Sequence, residues 1–463
     1  KWLTEGEPFD VLSPFDRSVV GTAFRATAAH AETAVRAAQR AFQITKKMPS
    51  HERQRILRAI SDGIRVRHEE FARLIALEAG KPIKTARAET DRAVFTFAVA
   101  AEEATRIGGE WIPLDWQVAT SGRAAILRRF PLGPILAITP FNFPLNLVAH
   151  KLAPAIAAGC TVVLKPAPQT PLTSLLLAEV IEDADLPSGA LNVLPLAIPE
   201  AERLVTDDRL KMLTFTGSGA VGWALKQKAG KKKVTLELGG NAGVIVHSDW
   251  DAEDAARRCV LGGFSYAGQS CISVQRIYVQ RGIHEKFLAA FVAGVKKLKT
   301  GDPLDDSTDV GPMISEDAAR RAAAWVEEAT AGGAKLETGG KRQGSILEPT
   351  VLTSTRREMK VSCEEVFAPV VSVEPYDDFS DSIRRVNDSP YGLQAGVFTR
   401  DAKLLFTAFE ELEVGGVIAG DMSSFRIDHM PYGGVKESGT GREGLRYAIE
   451  EMTEPRLLVL NLR

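Results

Sequence analysis

The sequence predicts an α/β fold with parallel sheets, and three observations carry that expectation. Short apolar strands alternate with helices from about residue 135 to 238. A second alternating stretch runs from Ala242 to about residue 430. The chain of 463 residues is long enough for several cores, at roughly 100–200 residues per domain. Strands separated by helices cannot pair as hairpins, so the helices must cover both faces of the sheets.

Taken in order, residues 1–25 read as polar loop with short extended pieces broken by Pro8, Pro14 and Gly21. Between about 28 and 110 the apolar period becomes helical. Ala34, Val35, Ala38, Ala41 and Phe42 form one face, and Ile56, Ile60, Ile64, Phe71, Leu74 and Ile75 form another. Ser50 is a candidate cap, and Gly80 followed by Pro82 is a stop signal. Ala124–Phe130 reads as a strand. Strands are then expected at 135–138, 161–164, 191–194, 212–215 and 233–238. The intervening helices fall at 145–158, 173–183, near 200–205 and at about 220–229. The second stretch opens with the strand 242–246 and a helix with Ser248 as candidate cap. The strand 275–280 and the helix 283–298 follow. Residues 456–462 form a terminal strand with no local partner, and an unpaired edge seeks a sheet elsewhere. Lys231–Lys233 reads as a solvated turn.

Composition excludes several classes. Lys+Arg number 57 against 59 Asp+Glu, a net charge of −2. Nucleic-acid binders need a basic footprint to displace phosphate counterions, so no nucleic-acid partner is expected. The charge-free run Phe130–His150 contains Pro131, Pro134, Pro140 and Pro144, which makes it a poor membrane helix. No membrane association is expected. The four cysteines, Cys160, Cys259, Cys271 and Cys363, show no metal-ligand spacing, so no metal site is expected. Four scattered thiols in a large chain with no secretory look point to a reducing, cytoplasmic compartment. The bland reading of each is a small buried hydrophobe.

Four stretches carry chemistry. Thr216-Gly217-Ser218-Gly219-Ala220-Val221-Gly222 follows a strand and opens a helix. Its glycines allow a pyrophosphate to approach free N–H groups, although a tight turn explains the pattern almost equally well. No acidic residue stands in the expected strand-end context further on. In Gly268-Gln269-Ser270-Cys271, a cysteine at a glycine-rich bend near N–H donors is expected to have a lowered pKa and to attack a carbonyl. No histidine lies nearby to act as its base. In Leu236-Glu237-Leu238-Gly239-Gly240, the carboxylate between leucines should be desolvated, with its pKa raised toward that of a general base. A surface-edge Glu is the alternative. In Pro140-Phe141-Asn142-Phe143-Pro144, two prolines fix an amide that either supports an oxyanion or caps the following helix.

Together these pieces resemble the aldehyde dehydrogenase superfamily along nearly the whole chain. Phe141-Asn142-Phe143-Pro144, Lys165-Pro166-Ala167, Phe215-Thr216-Gly217-Ser218, Glu237–Gly240 and Gly268–Cys271 match its boxes in order. So do Glu364–Pro369, Asn387–Leu393 and Pro431–Gly439.

The resemblance implies a Rossmann-like cofactor domain (1–117 and 132–240), an α/β catalytic domain (241–440) and a small β oligomerisation extension (118–131 and 441–463). It implies a homodimer or homotetramer that oxidises a small-molecule aldehyde to its acid with NAD or NADP. Cys271 is then the nucleophile, Glu237 the base that activates water on the thioester, and Asn142 the oxyanion donor. Lys151 and Glu443 match positions on a proton path. Cofactor contacts fall to Thr139, Pro140, Phe141, Lys165, Ala167, Gly217, Ser218, Glu237, Leu238, Gly239, Glu365 and Phe367. Arg442 and Glu454 are expected as an ion pair.

Two departures bear on specificity. Pro168 stands where many NAD-preferring relatives carry a Glu that repels a 2′-phosphate, so NADP use is plausible. Ser270 replaces an Arg that often precedes the nucleophile in relatives acting on phosphorylated or phosphonylated aldehydes. Arg426 or Arg123 is the candidate substitute. The stretch 423–428 looks like the lactaldehyde/glyceraldehyde branch, which suggests a small hydroxyaldehyde or semialdehyde. Two alternatives stand: a CoA-acylating dehydrogenase, which Glu237 disfavours, and a catalytically silent protein on the same fold.

Overall fold

A computed structural model describes residues 1–463. Three sheets organise it. The first runs in the order Gly439–Thr440, Lys233–Glu237, Met212–Thr216, Pro134–Ile138, Thr161–Lys165, Leu191–Val193. Its last five strands are parallel, as their unbroken apolar runs require. The chain starts at Pro134–Ile138, moves outward through two strands, then returns to the other side at Met212–Thr216. Strand order therefore reverses between these two neighbours, and the crevice beyond their carboxyl ends is where such sheets take ligands.

The second sheet runs Lys335–Thr338, Thr350–Thr353, Val370–Tyr376, Val274–Gln280, Ala242–Val246, Gln394–Phe398, Gly416–Ala419. Only the Lys335–Thr338 edge is antiparallel. The α/β expectation holds for both stretches. Only residues 238–241 separate Glu237, which ends a strand of the first sheet, from Ala242, which begins one of the second. The carboxyl edge of one sheet thus meets the amino edge of the other.

One core packs Ile56, Phe71 and Phe97 from the early helices against Ile135 and Leu164. A second joins Val244, Phe264, Ile277 and Phe287. The terminal strand Thr453–Asn461 pairs antiparallel with Arg123–Pro131 of the same chain, and Gly109–Pro113 completes that sheet. Leu457, Leu458 and Val459 are each at least 50% exposed, so neither face of this strand is covered.

Several local expectations change. Pro49 precedes the helix Ser50–Val66, and Ser50 is its first residue with no side-chain cap bond. Gly80 does end the helix His68–Ala79, in the left-handed conformation at φ 68. The helix after Val246 starts at Ala252, where Asp251 rather than Ser248 caps by accepting from the Asp254 N–H. Lys233, which the sequence places both in a basic turn and at the start of the strand 233–238, begins the strand, which ends at Glu237. Arg442 and Glu454 do not pair: Arg442 donates to the Gly434 and Gly441 carbonyls, and Glu454 meets Lys233 at 2.9 Å.

Candidate active site

A cavity of about 480 Å³ opens at the seam between the two sheets. Pro140, Phe141 and Asn142 reach it from the loop after Pro134–Ile138. Gly217 and Ser218 reach it from the turn after Met212–Thr216, and Glu237, Leu238 and Gly239 from the link between sheets. Cys271, Glu365 and Phe367 close it from the second sheet's side. Eleven sequence-predicted residues thus share one wall. Thr139, Lys165 and Ala167 sit at the same edge of the first sheet but outside the cavity lining.

The nucleophile loop is held in an unusual backbone. Tyr266, Ala267 and Gly268 all have positive φ, at 50, 52 and 67. Two of the three carry side chains, which disfavour that region. At Gly268 a Cβ would also collide with the Ala368 carbonyl, and at Gly240 with the Cys271 carbonyl. Glycine at both places lets the loop press against its neighbours.

Cys271 Sγ lies 3.3 Å from Glu237 Oε1 and 3.0 Å from the Tyr432 hydroxyl. Burial, reinforced by Glu237, pushes the thiol well above its ordinary pKa. This reverses the expectation of a lowered pKa: the loop's N–H groups do not offset burial beside a carboxylate. The resting sulfur is therefore a thiol that needs a base. Burial, then the negative charge of Glu443, raises Glu237 to about 7. Its Oε2 has no partner. Cys160 and Cys259 are buried, as expected of structural thiols, whereas Cys363 is only partly so.

Asn142 donates through Nδ2 to the Gln269 carbonyl at 3.0 Å. It does not cap the following helix, Asn146–Ala158, whose cap position is Leu145. Instead, Glu89 Oε1 accepts from the N–H groups of Leu145 and Asn146 at 3.0 and 3.1 Å. Behind the cavity, Lys151 Nζ bonds Thr214 Oγ1 at 3.0 Å and Glu443 Oε1 at 3.2 Å. Burial pushes Glu443 up, but Lys151 and Arg426 overcome it and hold the carboxylate at about 2.

Sequence reading missed Arg92 and Tyr432, which both line the cavity, and left Arg426 as one of two options. Arg426 Nη2 donates to Glu443 at 3.0 Å, while its buried Nε has no partner. Arg123 is excluded, being exposed on the strand that pairs with Asn461.

The dinucleotide expectation meets a fitting set of residues. Thr216 Oγ1 is buried without a partner. The helix Gly219–Lys228 begins with no side-chain cap bond, leaving its N–H groups and positive dipole end for an anion. Burial alone lowers Lys165, with no carboxylate beside it. Burial also raises Glu365 to about 7 while it accepts from the Gly240 N–H at 2.8 Å.

Residues 2–458 match the family model described as the aldehyde dehydrogenase family. The chain belongs to the aldehyde dehydrogenase family. It is similar to the 3-sulfolactaldehyde dehydrogenase of Priestia megaterium, 47% identical over 463 residues, covering 100% of this chain and 97% of that one. It is 40% identical to the lactaldehyde dehydrogenase of Methanocaldococcus jannaschii over 467 residues, covering 100% and 99%. Among solved structures, aldehyde dehydrogenase 21 of Physcomitrella patens, in complex with the reaction product succinate, superposes with a TM-score of 0.98. It is 45% identical, with 100% and 96% covered. Glyceraldehyde-3-phosphate dehydrogenase GapN of Methanocaldococcus jannaschii, complexed with NADP, gives 0.95 at 40% identity, with 99% and 100% covered. The fold is that of these dehydrogenases, and the reaction is NAD(P)-dependent oxidation of an aldehyde to a carboxylic acid. No helix is long and apolar enough to cross a membrane.

Proposed function

We propose that the chain oxidises a small hydroxyaldehyde or semialdehyde with an anionic tail, through a thioester on Cys271 that Glu237 hydrolyses. One observation carries the mechanism: the only carboxylate bonded to the Cys271 sulfur is one that burial has made basic. Glu237 takes the thiol proton and the thiolate attacks the aldehyde carbon. The Cys271 backbone N–H and the second N–H of the Asn142 amide support the oxyanion. Gly217, Ser218, Lys165, Glu365 and Phe367, with Thr139, Pro140, Phe141, Ala167, Leu238 and Gly239 around them, would hold the dinucleotide, which supplies the hydride acceptor. The acyl group is left as a thioester on Cys271. Glu237 gives up the thiol's proton along the path behind it, then removes a proton from water, which attacks that carbonyl and releases the acid with the sulfur as leaving group. Lys151 and Glu443 are assigned the proton path behind Glu237.

The anionic tail is supported by Arg92 and Arg426, which face the cavity with Ser270 and Ser424. Relatives named for sulfolactaldehyde, and a neighbour holding succinate, point the same way. Exposed Pro168 places no negative charge near Lys165, so NADP is accepted alongside NAD. Residues 1–117 with 132–240 are assigned to cofactor binding, 241–440 to catalysis, and 118–131 with 441–463 to a homodimer or homotetramer contact. The uncovered terminal strand supports that contact, and four unbridged thiols support a cytoplasmic setting.

An aldehyde panel with NAD and NADP, run with and without CoA and read by absorbance of the reduced nicotinamide, tests this. The expected result is at least about tenfold higher kcat/KM for anionic over neutral hydroxyaldehydes, the contribution of one charge-assisted contact. Strict CoA dependence would overturn the hydrolytic step.

A further inference from the structure

The sulfur of Cys271 has two polar neighbours, and the mechanism above uses only one. The other is the Tyr432 hydroxyl at 3.0 Å, which has no further partner. Tyr432 is 3% exposed and packs with Ile272 and Leu393. Its backbone is tied to Glu443 in both directions, its N–H to the Glu443 carbonyl at 3.0 Å and the Glu443 N–H back at 2.6 Å. The Arg426 guanidinium stacks on its ring, 3.6 Å from the centroid, while bonded to the Glu443 carboxylate. Ring and backbone are thus fixed, and the Cys271 sulfur is the hydroxyl's partner in the protein.

Proton counting orients the bond. The thiol's one hydrogen is directed to Glu237 Oε1, which accepts when ionised. Burial, and then Cys271, push the phenol well above its ordinary pKa, so it stays protonated. The phenol is therefore the donor, and the order is Tyr432 O–H to sulfur, then S–H to Glu237.

We propose that Tyr432 is a catalytic residue of this enzyme, donating a hydrogen bond to the Cys271 sulfur that holds and stabilises the attacking thiolate. When the S–H bond breaks, its proton passes to Glu237 Oε1 and the electron pair stays on sulfur. The Tyr432 O–H bond remains intact, and nothing is oxidised. Hydrogen bonds to an ionised partner are about twice as strong as neutral ones, so the contact tightens as charge appears. Stacking of Arg426 makes the phenol a better donor. The groups facing the sulfur are Glu237, Tyr432 and Arg426, with Glu443 and Lys151 behind them. Glu237 opposes thiolate formation by its charge, and Tyr432 with Arg426 favours it.

This rests on the reading of Cys271 as nucleophile and Glu237 as base. The test is the pH profile of iodoacetamide alkylation at Cys271, followed by mass spectrometry of its peptide. Tyr432→Phe keeps the stacked ring and removes the donor. The alkylation midpoint is expected to rise by about one pH unit, slowing alkylation about tenfold at neutral pH, with kcat/KM falling alongside. Replacement of Tyr432 by 3-fluorotyrosine, nearly the same shape with a more acidic hydroxyl, is expected to lower the midpoint, and it decides the matter if the Phe variant is misfolded. A midpoint unmoved in the folded Phe variant, or moved upward by fluorination, overturns the proposal whatever turnover does. The premise is read separately: wild-type enzyme that keeps full turnover after Cys271 is alkylated refutes the nucleophile itself.

Discussion

Two buried clusters in this molecule pair a lysine with a glutamate, and they differ in how completely they are satisfied. Lys81 and Glu89 pair with both side chains fully buried. The ammonium also lies over the Phe143 and Tyr266 rings, 3.6 and 4.5 Å from their centroids. Glu89 spends its other oxygen on two helix N–H groups. No atom of either side chain is left over. The second cluster, Lys151 and Glu443 with Arg426 and Glu237, leaves Glu237 Oε2 and Arg426 Nε buried without partners. Buried polar atoms are nearly always bonded, so orphans in one cluster and none in the other separate chemistry from scaffolding. The closed cluster fixes the loop that carries Asn142, and the open one waits for substrate and water.

Substitutions can break this distinction, beginning with the largest effect. Cys271→Ala is expected to lower kcat by about 10⁴-fold or more while leaving the melting curve unchanged, since a nucleophile has no substitute nearby. Retained turnover would end the covalent reading. Glu237→Gln should cost about 10²–10⁴-fold in steady-state turnover, and, because Glu237 also takes the thiol proton, iodoacetamide alkylation of Cys271 should slow with it. On the closed side, Lys81→Met leaves Glu89 a buried, unpaired charge and should cost about 3–5 kcal/mol. Denaturant unfolding measures that loss, and Cys271 alkylation should stay near wild type in the folded fraction.

A milder probe needs no mutation. Because Glu237 is raised to about 7, the rate should climb with pH through that value and flatten above it. A profile flat down to pH ~5, near the ordinary carboxylate range, would remove Glu237 as base. The smallest effect concerns Glu78, beside the closed cluster and raised to about 8 by burial. The folded chain then binds that proton more tightly than the unfolded chain, so stability falls as pH rises between the two pKa values. Glu78→Gln should flatten that part of the Tm-versus-pH curve, and an identical slope would show that Glu78 is ionised throughout.

The strand and helix succession was legible because periodicity is local. Lys233–Glu237 and Ala242–Val246 appear where their apolar runs place them. Helix starts were less so: Ser248 and Asp251 offer the same capping chemistry, and only the backbone decides which reaches an N–H. In the site, Cys271, Glu237 and Asn142 stand in glycine- or proline-marked motifs and were visible. Arg92 sits in a helix with one other arginine, Arg87, and its meeting with Asp428 across 336 positions leaves no local mark. Tyr432 lay inside a recognised motif, but nothing in the motif said that its hydroxyl ends at a sulfur. The direction of the Cys271 shift failed for a related reason. Proximity to N–H donors is local, whereas burial beside Glu237 is set by the meeting of two sheets.

The pairing of Thr453–Asn461 with Arg123–Pro131 also bears on how the chain is made. The ribosome releases the first of these strands more than three hundred residues before its partner. Tyr432, Arg426 and Glu443 belong to the same late segment, as does Gly439–Thr440, which completes the edge of the first sheet. A nascent chain therefore carries Cys271 long before the groups that orient it, and a bare sheet edge of the kind chaperones shield. Reactive competence arrives only once residues 426–461 have been made, so a product terminated before them is expected to be both sticky and chemically mute.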